Sequence, residues 1–270
     1  SSDLDACSGG MITVAAGEDW DGFVEWILGK GFAGLETMSG IPGTVGASPI
    51  QNIGAYGHEV SEVIARVKTW DRKLKELKTF SNSECEFSYR NSRFKKERDR
   101  YVILEVTFQL RNGEMSLPIS YQELANYLGV KLGDKALVSD VRKAVLALRA
   151  AKGMLLDKSD HDTWSAGSFF VNPIISADAA AKLPANAPRW IQPDGRVKTS
   201  AAWLMEQAGV RKGEARNGAG VSTKHVLALV NNGSATSKDI VDLARNSRKL
   251  VKEKFGIVLE PEVYFVECEL

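Results

Sequence analysis

Cysteine is scarce in this chain. Its 270 residues include three cysteines, Cys7, Cys85 and Cys268, far apart and with no CxxC pair. That pattern argues against both a disulfide framework and a structural zinc site. Histidine is equally sparse: His58, His161 and His225 never fall at HExxH spacing, so no protein-bound metal is expected. Charge of one sign is lacking too. A formal net charge of +1 provides no global field for nucleic acid or an anionic membrane. No apolar run reaches the ~18 residues of a membrane-spanning helix, so no membrane insertion is expected. The opening SSDLDACSGG has neither a basic nor an apolar region and does not read as a signal peptide. It also lacks an initiator Met, which suggests a processed or truncated product.

What remains is ordinary soluble-protein composition, with 44% hydrophobic and 26% charged residues. The length suggests two or three compact units. Met11–Ala16, Val63–Trp70 and Tyr101–Leu110 read as strands, and GSFFVNPII (167–175) also favours one. Val226–Val230 reads as a short buried strand, and Ile257–Phe265 as the last strand. Helices are expected over Asp21–Lys30, from a Ser139 cap to about Ala151, and over Ser200–Ala208 with Gly209 as its stop. Thr236 to Asp239 fits a capping box for a helix reaching Phe255, with Ile240, Leu243, Leu250 and Val251 facing a core and Gly256 ending it. Pro184–Gly195 is loop-rich. The mixture of elements makes the class α/β or α+β.

The most unusual segment is SGIPGTVGASPIQNIGAYG, Ser39–Gly57. Glycine permits close backbone approach and positive φ, so such a loop can offer N–H groups to phosphates or to the polar edge of a planar ring. Gln51 and Asn52 add amide donors and acceptors. The pattern is neither GxxxxGK[ST] nor a GxGxxG following a strand, so neither a P-loop nor a Rossmann nicotinamide site is indicated. Read from composition alone, glycines that merely serve tight turns are an equal alternative.

This segment resembles the signature of the UDP-N-acetylenolpyruvoylglucosamine reductases, the MurB family. In that family the loop wraps the isoalloxazine of FAD. The resemblance implies a cofactor-binding role for Gly40, Ile41, Pro42, Gly43, Gly46, Ala47, Ser48, Ile50, Gln51, Asn52, Gly54 and, on a later strand, Ile103. FSYRNSRFK (87–95) is similar to the family's YR-x-S-x-F-K motif, which places Arg90 beside flavin and substrate and Tyr89 at the substrate. A guanidinium there suits the negative charge that builds when hydride reaches an enolpyruvyl double bond. AGSFFVNP (166–173) resembles GSFFxNP, which makes Ser168 the proton donor to the carbon next to the carboxylate and Asn172 a substrate contact. GIVLEPEVYF (256–265) resembles the C-terminal LEPEVRF. It makes Glu262 the catalytic glutamate, with Tyr264 where the family has arginine. ISYQEL (119–124) places Tyr121 over the UDP moiety, LRAAKG (148–153) places Lys152 at the diphosphate, and His225 falls where some members contact substrate.

Plainer readings stand beside these. Arg90, Arg93, Lys95, Lys96, Arg98 and Arg100 fall within 11 residues and could suggest nucleic-acid binding, but such a run is usually a solvated face. Ser168 could be a strand-end serine bonded to backbone, and Glu262 a solvent-facing charge. The resemblance implies an α+β chain with an FAD-binding domain of the PCMH/vanillyl-alcohol-oxidase type over 1–160. A substrate-binding α/β domain would follow over 161–256, with 257–270 returning to the FAD-binding region. It implies FAD and NADPH as cofactors, UDP-N-acetylglucosamine enolpyruvate as substrate, a cytoplasmic location and a monomer. The family also has an N-terminal subdomain with a GGGSN-type turn for the FAD pyrophosphate. Only Ser8-Gly9-Gly10 suggests it here, so the first domain is expected to be N-terminally incomplete. A non-catalytic UDP-sugar-binding remnant and a different flavin oxidoreductase of the same fold are the alternatives.

Overall fold

The computed structural model describes residues 2–5 and 9–270, so Cys7 and Ser8 lie outside the described residues. The chain divides between Arg149 and Ala150 into two compact units.

The first unit is built on an antiparallel sheet. Its strands lie in the order Ser2–Asp5, Gly9–Ala15, Tyr101–Asn112, Ile64–Asp71 and Glu76–Ser81, and Phe32–Ala33 pairs with the far end of Tyr101–Asn112. Val106, Phe108 and Leu110 are buried at period two, as expected of a strand packed on one face. The helix Trp20–Gly29 covers that core. Its cap is Asp19, whose carboxylate accepts the Gly22 N–H at 2.8 Å. Trp20, Phe23, Val24 and Ile27 recur at helical spacing and are all buried. Phe23 meets Phe108 with ring centroids 5.2 Å apart, and the Trp20 indole N–H donates to the Met38 carbonyl at 3.0 Å. Each such side chain contributes about 1.5–3 kcal/mol on burial. A smaller cluster packs Ile119, Leu124 and Ala125 against Val141, Ala144 and Val145 of the helix Val138–Ala151.

The second unit has its own core, made by Phe169, Phe170, Leu204, Met205, Val221, Leu227, Val251 and Leu259 among others. Its long helix, Ser237–Phe255, starts with the expected capping box between Thr236 and Asp239 and stops at Gly256, where φ is +69°. Ser200 caps the helix Ala201–Gln207 by accepting the Trp203 N–H at 3.1 Å. Two three-stranded sheets complete the unit: Arg189–Ile191, Val197–Thr199 and Ile174–Ile175; and Ala215–Arg216, Ala219–Val221 and Leu229–Asn231.

Several expectations need correction. Ile257–Phe265 forms no strand; a single bridge joins Phe170 to Pro261, and a proline cannot donate to a ladder. GSFFVNPII is not one strand either. Only Ile174–Ile175 belongs to a sheet, because the backbone of 168–171 pairs on one side with 227–228 and on the other with 260–262. The helix assigned a Ser139 cap begins at Val138, so Ser139 sits in its first turn. On the long helix Val251 is buried, but Ile240, Leu243 and Leu250 are only half-buried, and Val241, Ala244 and Ser247 lie deeper. The strand at 226–230 is Leu229–Asn231, and the loop-rich stretch 184–195 carries one short strand, Arg189–Ile191.

Candidate active site

The glycine-rich segment is fastened to residues just before and at the start of the first helix. Gly46 N–H donates to Ala16 O at 2.9 Å, Val45 N–H to Glu18 O at 2.9 Å and Trp20 N–H to Gly43 O at 3.0 Å. Gly46 has to be glycine, since a Cβ there would stand 2.5 Å from the Ala16 methyl. The Gly40 N–H donates to Asp21 Oδ1 at 2.6 Å. Asp21 in turn takes a two-pronged contact from Arg142, at 2.6 and 2.9 Å. Burial pulls the Asp21 carboxyl upward, but the Arg142 hydrogen bonds, the Gly40 N–H and the charges of Arg142 and Arg149 outweigh it. The carboxyl is held below the usual carboxylate range. Between these anchors Pro42, Gly43 and Thr44 are exposed, and Gly43 has φ +115° with open space where a side chain would project. An exposed backbone arc held from behind fits the polar edge of a planar cofactor such as FAD.

The second limb of the loop, Ile50–Gly54, is tied to the basic motif. The Asn52 amide donates to the Ser88 carbonyl at 3.2 Å and to Glu59 Oε2 at 2.6 Å, and its oxygen accepts the Ser61 N–H at 3.0 Å. Its side-chain amide therefore serves the loop itself. Ser48 is likewise turned inward, onto the Val45 carbonyl at 2.7 Å. Arg90 lies in a tight turn at φ +52°; its Nη2 donates to the Gly54 carbonyl at 2.7 Å and its guanidinium carbon lies 5.1 Å from the Tyr89 ring centroid. Ile103 is half-buried beside the first core. Tyr121, 43% exposed, meets Tyr56 edge-on at 5.6 Å, and burial pushes the Tyr56 hydroxyl up to about 12. Of the rest of the basic run, three residues are paired with carboxylates: Arg93 with Glu97 and Glu86, Lys96 with Glu86, and Arg100 with Asp71 and Glu97. That pairing suits a solvated face, not a nucleic-acid groove.

In the second unit Ser168 and Glu262 come onto neighbouring segments. Phe169 donates its N–H to Leu227 O at 2.8 Å, and its carbonyl accepts the Glu262 N–H at 2.8 Å. The buried rings of Phe169 and Phe170 hold this backbone in place, leaving Ser168 and Glu262 half-buried. Asn172 Oδ1 accepts the Ala201 N–H at 2.9 Å, so this side chain helps start a helix. The His225 N–H donates to Ser222 Oγ at 3.3 Å, and Lys152 is half-buried just after the helix Val138–Ala151. An open, largely apolar depression of ~430 Å³ is bordered by Trp164, Ser165 and Ala166 on one side of Ser168 in the sequence and by Phe169 on the other. Sequence reading assigned no role to Asp21, Tyr56 or Ser92, although Tyr56 lies within the glycine-rich segment, Ser92 is the serine of the FSYRNSRFK motif, and Asp21 is an acidic residue in the first turn of a helix.

Among the described residues no cluster of histidine, cysteine and carboxylates could hold a metal, and no helix is long and apolar enough to cross a membrane. Comparison with known proteins gives a consistent result. Residues 158–266 match the family model of the UDP-N-acetylenolpyruvoylglucosamine reductase C-terminal domain, and residues 3–76 match that of an FAD binding domain. A UDP-N-acetylenolpyruvoylglucosamine reductase of Cutibacterium acnes is 52% identical over 273 residues, covering 100% of this chain and 72% of that protein. That of Thermobifida fusca is 49% identical, covering 96% of this chain and 75% of that protein. The crystal structure of the Thermus caldophilus enzyme, 23% identical, shares the fold with a TM-score of 0.61 over 97% of this chain and 73% of its own. With relatives this similar along nearly its whole length, the chain belongs to the UDP-N-acetylenolpyruvoylglucosamine reductase family.

Proposed function

We propose that this chain reduces UDP-N-acetylglucosamine enolpyruvate to UDP-N-acetylmuramate with NADPH, as an FAD-dependent oxidoreductase of peptidoglycan precursor synthesis. The observation that carries the reading is the pairing of Phe169 with Glu262, which sets Ser168 and the glutamate on adjacent segments. Relatives that are 52% and 49% identical to this chain over the residues they share bear the reductase name.

The backbone of Gly40–Ala47, with Ile50, Gln51, Gly54 and Ile103, would hold FAD, which when bound supplies the hydride chemistry between NADPH and the enolpyruvyl group. The balance is one hydride to the terminal enolpyruvyl carbon and one proton to its neighbour. Ser168 delivers that proton. A serine hydroxyl is a weak acid, but the enolate-like carbon it meets is strongly basic. Arg90 faces the negative charge that develops toward the carboxylate, and Glu262 orients or relays the proton. Tyr121 covers the uridine diphosphate, Lys152 faces the diphosphate, and Tyr89, Asn172 and His225 contact the substrate. Division of labour between an FAD-binding region over 1–160 and a substrate-binding region over 161–256 goes with this reading, as do a monomer and a cytoplasmic location, where NADPH and nucleotide sugars are found.

The test separates the two half-reactions. Ser168→Ala is expected to leave flavin reduction by NADPH within about twofold while slowing product formation by roughly 10²–10⁴-fold, the range for loss of a general acid. A Ser168→Ala chain that turns over like the parent would remove the serine from its role.

A further inference from the structure

We infer that Ser92 is a positioning residue for this reduction, acting through the Ile50–Gly54 limb of the loop and through Arg90; the inference rests on the functional reading above. Ser92 is fully buried. Its hydroxyl donates to the Ile50 carbonyl at 2.5 Å and accepts the Lys95 N–H at 3.3 Å, capping the short helix Arg93–Lys96. One buried hydroxyl thus satisfies a carbonyl of the flavin loop and an N–H of the arginine motif together. Removing it leaves both without that partner.

The arginine turn is fastened to the loop at three alternate residues. Ser92 holds Ile50, the Ser88 carbonyl is held by Asn52, and Arg90 Nη2 holds Gly54. Ser88 and Asn91 exchange backbone hydrogen bonds at 3.0 Å, which closes the turn and keeps Arg90 in its left-handed conformation. Lys95 Nζ adds a bond to the Arg90 carbonyl at 3.0 Å. The direction of the guanidinium therefore depends on where the turn sits against the loop. Two of the three fastenings involve groups other than Arg90, and Ser92 provides one of them from a position remote from solvent. Loss of its hydroxyl frees Ile50 to shift and carries the Gly54 contact of Arg90 with it.

The experiment compares the parent, Ser92→Ala and Ser92→Thr, which keeps the hydroxyl. FAD affinity is titrated by fluorescence on the apo chain, without turnover. Flavin reduction by NADPH and flavin reoxidation by UDP-N-acetylglucosamine enolpyruvate are then timed separately in single turnovers. Ser92→Ala is expected to weaken FAD binding by about fivefold, from loss of one buried hydrogen bond. It should slow reoxidation by roughly 10–100-fold, the scale of an ångström of misplacement. Reduction by NADPH should stay within about threefold, because Arg90 acts on the enolpyruvyl substrate. Ser92→Thr should recover most of the reoxidation rate. Equal slowing of both half-reactions, a Ser92→Thr chain no better than Ser92→Ala, or unchanged behaviour would overturn the inference in favour of a packing role. A parent that binds FAD but is never reoxidised by the substrate would refute the functional reading instead. In that case the FAD titration still decides whether Ser92 anchors the loop.

Discussion

Gly46 lies so close to Ala16 that a methyl group added at residue 46 would overlap the alanine side chain, at 2.5 Å. The same pair is joined by the Gly46 N–H and the Ala16 carbonyl at 2.9 Å, so the loop cannot back away without breaking that bond. Gly46→Ala is therefore expected to destabilise the first unit by about 1–3 kcal/mol, as overpacking does elsewhere, and to weaken FAD binding. Denaturant melts and an FAD titration measure both. A variant with parental stability and affinity would mean that the close approach places nothing.

Asp21 connects the loop to the helix Val138–Ala151 through Gly40 and Arg142. Its carboxyl is held below its ordinary value of 3.8. The sign follows from linkage. A depressed folded-state pKa contributes stability that is fully present above the unfolded value and is lost as pH falls through the folded one. Melting temperatures of the parent and Asp21→Asn should differ most near neutral pH and converge below about pH 3.8. A difference that stays constant down to pH 3 would show that the charge on Asp21 is not what matters.

His58 shows the opposite sign. Its Nδ1 faces Glu62 Oε2 at 2.9 Å and its Nε2 faces the Pro118 carbonyl at 3.2 Å, two acceptors that only an imidazolium can satisfy together. The Glu62 hydrogen bond raises the His58 pKa above its ordinary 6.5, despite an opposing effect of burial. The stabilisation is full below 6.5 and is lost as pH rises through the folded value. His58→Gln should thus lose more stability relative to the parent at pH 6 than at pH 9. Titration of the ring by NMR gives the direct check, and a midpoint at or below 6.5 would contradict it.

How legible all this was in the sequence depended on range. The capping box at Thr236 and the buried stripe Phe23, Val24 and Ile27 are local signals, and both elements formed where expected. Glu76–Ser81 went unread because it is an edge strand with only Phe80 buried, so its alternation is faint. The terminal strand failed for another reason: Pro261 and the pairing with 169–171 reduce 257–265 to a single bridge. The site followed the same rule. The glycine-rich segment and Arg90 were visible as motifs. The bonds that join them, such as Ser92 to Ile50 across 42 positions, were not, because no local pattern encodes a contact between distant segments. Asn52 was read as a ligand-facing amide and is instead committed to Ser88, Glu59 and Ser61.

The most direct measurement is NADPH consumption by the FAD-loaded chain, with and without UDP-N-acetylglucosamine enolpyruvate, together with identification of the nucleotide product. The expected result is substrate-dependent oxidation, with one UDP-N-acetylmuramate formed per NADPH consumed. NADPH oxidation that is indifferent to the enolpyruvyl substrate and yields no UDP-N-acetylmuramate would contradict the assignment.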